Sequence, residues 1–206
     1  MYLIADIGNT RMKLAVFDKS HNPLYFNVNS YNIRHILSTL KEVKDNYKID
    51  KVFYSSVCFD RNDIFVSSIK DVLKKDVYRV TYKDVKLKGN LYEPKDAVGI
   101  DRLLATYASI CFEGYNKNEK YASIVVDMGT ATTISVMTSD FIFLGGMIMS
   151  GTKTSYKALS SRTSLPYHEI GPIESIPNPL NNNTVPTITI ITVVIIAIGN
   201  IILNLL

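Results

Sequence analysis

The sequence predicts an α/β protein made of two like halves facing each other across a cleft. Three observations carry this. Short apolar strands alternate with amphipathic helices through the first half. The opening stretch "YLIADIGNTRMKLAVF" returns as "SIVVDMGTATTISVMT", laid on it without a gap so that Asp6 falls on Asp127 and Gly8 on Gly129. With 206 residues, 47% hydrophobic and 20% charged, the chain has enough material to bury a sizeable core.

Periodicity places strands near 2–6, 11–17 and 23–28, then a helix over 31–46. That helix carries Ile33, Ile36, Leu37, Leu40 and Val43 on one stripe, with Ser30 as its N-cap. A strand at 51–57, a helix at 62–75 and a strand at 77–80 follow. A further helix spans 100–114 and ends near Gly114, and the polar "YNKNEK" reads as a linker. The domains are therefore expected at 1–115 and 116–206. Each repeat continues into a third strand, PLYFNV in the first and FIFLGG in the second, which gives each half a three-stranded meander.

Charge and cysteine content narrow the partners. The net charge of +4 is dispersed over Lys-rich segments interleaved with Asp, which is a solvated surface and not a nucleic-acid footprint. Cys58 and Cys111 lie in apolar contexts and suit buried thiols in a reducing cytoplasm. No basic segment followed by an apolar run marks a signal peptide at the N-terminus. Ser175–Leu206 contains no charged residue, and "VPTITIITVVIIAIGNIILNLL" approaches the length of a bilayer span. Its Thr and Asn residues, Pro186 and the missing Lys or Arg flank favour a helix buried in a core or subunit interface. A membrane anchor and a strand at 187–196 are the alternatives. His21, His35 and His168 are far apart and show no metal-ligand spacing.

The repeated turn is where chemistry enters. One Asp-x-Gly after a strand is an ordinary hairpin, but two in register suggest a shared task. Gly8 and Gly129 allow a backbone to come close to a ligand, and Thr10, Thr130, Thr132 and Thr133 supply hydroxyls beside amides that suit phosphate oxygens. Carboxylates next to a polyphosphate imply an intervening cation such as Mg²⁺. No P-loop motif is present. Between the copies, "YEPKDAVGIDRLLA" brings Gly99, Asp101 and Arg102 to a helix start. Arg102 offers a fork for a carboxylate or phosphate, and Asp101 could accept a proton from an attacking hydroxyl.

These motifs resemble the type III pantothenate kinases, enzymes of the acetate and sugar kinase/actin-like (ASKHA) superfamily, whose duplicated domains are ribonuclease H-like. The resemblance rests on "DIGNT" at 6–10, Tyr92 ahead of "GIDR" at 99–102, "DMGTATT" at 127–133, "LGGMIMSG" at 144–151, "LP" at 165–166 and "NT" at 183–184. It implies phosphorylation of pantothenate by ATP at the first step of coenzyme A synthesis. Asp6, Ile7, Gly8, Asn9, Thr10, Arg11, Met12, Lys13 and Thr130 would bind ATP, with Asp6 taking Mg²⁺ directly or through water. Tyr92, Gly99, Ile100, Asp101, Arg102 and Thr184 would bind pantothenate, with Asp101 as general base. Asp127 would bind a monovalent cation, K⁺ or NH₄⁺. The resemblance also implies a homodimer in the cytoplasm. Two departures stand out: Ser150-Gly151 where the family loop usually ends in Pro-Gly, and Ile191 where a glycine is usual. A non-catalytic nucleotide-binding regulator of the same fold, or a sugar kinase of the same superfamily, would share the turns but has no need of Tyr92 with Gly-x-Asp-Arg.

Overall fold

Tyr2–Ile7 (β1) is apolar at almost every position, as a strand covered on both faces must be. It lies at the centre of a five-stranded sheet with Met12–Phe17 (β2), Pro23–Asn29 (β3), Lys51–Ser56 (β4) and Val77–Arg79 (β5), in the order β3-β2-β1-β4-β5. The first three strands form an antiparallel meander, and β4 and β5 run parallel to β1. This is the ribonuclease H-like order. The computed structural model describes residues 1–111, 120–167, 176–177 and 184–185.

Side-chain alternation divides β1 between two cores. Leu3, Ala5 and Ile7 join Met12, Leu14 and Val16 against Ile36, Leu40 and Val43 of helix Ile33–Asn46 (α1) and Phe65 and Ile69 of helix Asn62–Leu73 (α2). Ile4, Ala15, Phe17 and Phe53 face the other way, onto helix Ile100–Cys111 (α3). The cap of α1 is Asn32, whose side chain accepts the Arg34 N–H at 2.9 Å, and not Ser30. Ile33, read as part of the apolar stripe, is exposed, and Thr39 takes a buried place by bonding Asn29.

The second sheet has the order β6-β9-β8-β7, built from Gly89–Asn90 (β6), Ala122–Met128 (β7), Ala131–Thr138 (β8) and Ile142–Ser150 (β9). The meander repeats, but with a correction to the gapless alignment. In β1–β2 the last paired residues are Ile7 and Met12, whereas in β7–β8 they are Met128 and Thr132. The second turn is thus one residue shorter, and Leu14 and Val16 correspond in the fold to Ile134 and Val136. β6 lies before residue 116 in sequence yet pairs with β9. The expected boundary at 115–116, the end of the 100–114 helix beyond Cys111, His168 and the apolar segment from 186 onward lie outside the described residues. Thr152–Arg162 (α4) is a helix that periodicity does not announce, because none of its residues is buried. Ile176–Pro177 (β10) and Thr184–Val185 (β11) form a two-residue antiparallel ladder. Among the described residues no helix is long and apolar enough to cross a membrane.

α3 lies between the sheets, touching Ile4 and Phe53 on one side and Met137 and Phe143 on the other. One glycine lets β9 pass beneath it. Gly146, at φ 154°, sits where a Cβ would overlap the Ile134 carbonyl and come 2.9 Å from Arg102 Nη2. We predict that Gly146→Ala destabilises the fold by more than about 2 kcal/mol, since both backbone strain and overpacking are incurred. Chemical denaturation of parent and variant measures the loss.

Candidate active site

Strand alternation aims both repeat aspartates at the layer that α3 fills. Asp6 shares its face of β1 with Ile4, and Asp127 shares its face of β7 with Val125 and Ser123. Ser123 donates to Ser109 of α3 at 2.7 Å, which fixes the orientation of that face. The turns after the two strands then meet: the Thr10 and Thr130 hydroxyl oxygens are 2.7 Å apart.

Asp6 is buried, and a carboxylate there requires partners. Lys13, its cross-strand neighbour in β2, donates from Nζ at 3.1 Å, and Ser55, its neighbour in β4, donates from Oγ at 3.2 Å. Gly8 N–H closes the first turn onto the Arg11 carbonyl at 3.2 Å. Tyr31 donates its hydroxyl to the Gly8 carbonyl and lies 3.3 Å from that of Arg11. In the second turn the Thr130 carbonyl accepts from Gly151 N–H at 3.0 Å and the Thr154 hydroxyl at 2.9 Å. A Cβ on Gly151 would overlap the Gly129 carbonyl, so glycine is needed there.

The N-terminus of α3 reaches the same place. Asp101 Oδ1 accepts the Arg102 N–H at 2.8 Å, a carboxylate folded back on its own helix start. Gly99 makes room for it, because a Cβ there would stand 2.5 Å from Oδ1. Burial holds the Asp101 carboxyl above the ordinary aspartate range, and the negative charges of Asp6 and Asp127 push the same way, against the opposing pull of the Arg102 N–H and guanidinium. Arg102 is buried across the interface. Its Nε donates to Ser135 Oγ at 2.9 Å and its Nη2 to the Ile134 carbonyl at 3.2 Å, and its guanidinium lies 6.0 Å from the Tyr92 ring centroid.

No group of three or more His, Cys, Asp or Glu side chains among the described residues is arranged to hold a metal ion. Asp6, Asp101 and Asp127 nevertheless share one electrostatic neighbourhood. A hard cation there would take one or two of these carboxylates, with water and phosphate oxygens completing its shell.

The sequence profile described as type III pantothenate kinase matches residues 2–202. The chain belongs to the type III pantothenate kinase family. A type III pantothenate kinase of Flavobacterium johnsoniae is 29% identical over 174 residues, covering 80% of this chain and 63% of that one. One from Borrelia hermsii is 32% identical over 162 residues, covering 76% and 59%. The chain therefore spans about three fifths of the length of these curated relatives. Among solved structures, the ethanolamine utilization protein EutJ of Carboxydothermus hydrogenoformans superposes with a TM-score of 0.46 at 14% identity, covering 80% of this chain and 57% of that one.

Within this pantothenate kinase relative, the family motifs occupy different kinds of place. Gly8, Asn9, Thr10 and Arg11 form the first turn, and Thr130 lies in the second. Ile7 and Met12 are fully buried against α1 and α2, so they hold the turn from its base and only their backbones are free to approach a ligand. Ile100 is buried in the α3 layer, and Tyr92 packs beside it half-buried. Thr184 pairs with Pro177 through the short β10–β11 ladder. Four residues that the motif reading passes over also support the site: Ser55, Tyr31, Ser135 and Thr154. Ser55 alone had a signal, being a polar residue at the end of the apolar strand "KVFYSS".

The raised Asp101 carboxyl means that its charged form costs the fold stability. The native state favours the proton more than the unfolded chain does, so Asp101's relative contribution is best below the ordinary aspartate range and is lost as pH rises through the raised value. Asp101→Asn, which keeps an oxygen for the Arg102 N–H, is expected to unfold at higher denaturant than the parent at neutral pH. The gap should close under acid, as denaturation curves across that range will show.

Proposed function

We propose that this chain transfers the γ-phosphoryl group of ATP to the primary hydroxyl of pantothenate, giving 4'-phosphopantothenate for coenzyme A synthesis. The observation that carries this is the convergence of the two Asp-x-Gly turns, touching through Thr10 and Thr130, upon a third carboxylate at the start of α3. Phosphoryl transfer asks a protein mainly for positioning and charge compensation, and this arrangement offers both.

The turn amides and the Thr10 and Thr130 hydroxyls hold phosphate oxygens, with Lys13 next to Asp6 at the first turn. Mg²⁺ beside Asp6, when bound, draws charge from the phosphates and so favours the transfer. Asp101 receives the hydroxyl proton as the substrate oxygen bonds to phosphorus and the bond to the ADP oxygen breaks. With Oδ1 engaged by the Arg102 N–H, Oδ2 is the oxygen that takes it. A carboxyl whose pKa lies above the ordinary range is a better base than an exposed aspartate, provided it is ionised. Arg102 supports substrate binding because it is buried with no carboxylate at ion-pair distance among the described residues, and the pantothenate carboxylate supplies the missing charge. Tyr92, Gly99, Ile100 and Thr184 complete the substrate side, Asp127 holds K⁺ or NH₄⁺, and the enzyme works as a cytoplasmic homodimer.

A coupled assay with ATP, pantothenate, Mg²⁺ and K⁺ tests the reaction, and failure to make ADP in the presence of pantothenate would sink it. Asp101→Asn is expected to lower turnover by ~10² to 10⁴, with a smaller change in ATP affinity, as loss of a general base does. Replacing K⁺ by Na⁺ is expected to lower the rate through weaker binding at Asp127; equal rates in the two salts would remove that assignment.

A further inference from the structure

The Gly8–Arg11 turn has one internal bond, Gly8 N–H to the Arg11 carbonyl, and Asn9, Thr10 and Arg11 are exposed. A four-residue turn starting with glycine has many conformations to lose when it closes on a polyphosphate. Something outside the turn restricts it. The Tyr31 hydroxyl, from the link between β3 and α1, donates its one proton to the Gly8 carbonyl and lies 3.3 Å from the Arg11 carbonyl, so it anchors the first end of the turn and stands beside the second.

The direction of these bonds matters. In a trans peptide the carbonyl and the following N–H point to opposite sides, so a Gly8 carbonyl held toward Tyr31 aims the Asn9 N–H away from it. Tyr31 packs on the α1–α2 side of the sheet, whereas Thr10 meets Thr130 across the gap between the halves. The bracing group therefore sits behind the turn, on the side away from Thr130. The phenol is itself restrained, with the Arg61 guanidinium 4.9 Å from its ring centroid at the start of α2. Burial keeps its pKa well above the ordinary tyrosine range, so it remains an O–H donor at any working pH.

We infer that Tyr31 is a positioning residue for the nucleotide: its hydroxyl pre-orients the Gly8–Arg11 turn so that the amides there meet the ATP phosphates. The inference rests on the ATP site proposed above. It differs from a purely structural role in predicting an effect on one substrate only.

Tyr31→Phe deletes the hydroxyl and keeps the ring beneath Arg61. Calorimetric titration with Mg-ATP, without pantothenate, is expected to show affinity weaker by about tenfold, the loss of one hydrogen bond to a fixed backbone group. In the full assay KM for ATP should rise by a similar factor, with KM for pantothenate within about twofold of the parent. Arg61→Gln, which frees the ring but spares the hydroxyl, should weaken ATP less than Tyr31→Phe does. An unchanged ATP affinity in Tyr31→Phe, or equal losses for both substrates, would overturn the inference. A parent that binds Mg-ATP but leaves pantothenate unphosphorylated would overturn the proposed reaction while the Tyr31 comparison still stands. A parent that binds no nucleotide would overturn both.

Discussion

Arg102 joins the two halves. Its backbone belongs to α3, where its N–H caps the Asp101 carboxylate, while its buried guanidinium is bonded to Ser135 and the Ile134 carbonyl of β8. A buried cation tolerates little displacement, because each lost partner leaves charge unsolvated. Asp101 is thereby held in register with the second hairpin, and Gly146 is obligatory where the guanidinium and the β8 carbonyl crowd β9. The position of the candidate base thus follows from a packing constraint one residue away.

The two aspartates at the strand ends are equivalent in sequence but not in environment. Asp6 is flanked by strands on both sides and draws a lysine from one and a serine from the other. Asp127, on the outermost strand of its sheet among the described residues, is only half-buried, and its cross-strand partner is Thr133 rather than a lysine. The shorter second turn adds to the asymmetry.

The same comparison holds for the opposite face of each β strand. Leu3, Ala5 and Ile7 are fully buried beneath α1 and α2, whereas the residues aligned with them, Ile124, Val126 and Met128, are exposed. The helix after the first meander has an apolar stripe, and α4 after the second buries nothing. The second half therefore repeats the strands and the turns but not the helical cover within the described residues.

The sequence by itself determined the α/β class, the repeated meander and the turns with their aspartates, because strand alternation and Asp-x-Gly chemistry are local properties visible along the chain. It also marked Gly99, Asp101 and Arg102, since a helix start has a local signature. It did not show the one-residue difference between the turns: a gapless alignment matches residue types and is blind to which residues pair. Nor did it show that Arg102 binds β8, that Ser55 supports Asp6, or that Tyr31 braces the first turn. Those contacts join residues 20 to 50 positions apart, and such side chains meet only when sheets and helices pack. Only the tertiary structure decided which carboxylate is paired, which is pushed toward its neutral form, and which turns face each other, because burial and charge depend on neighbours in space.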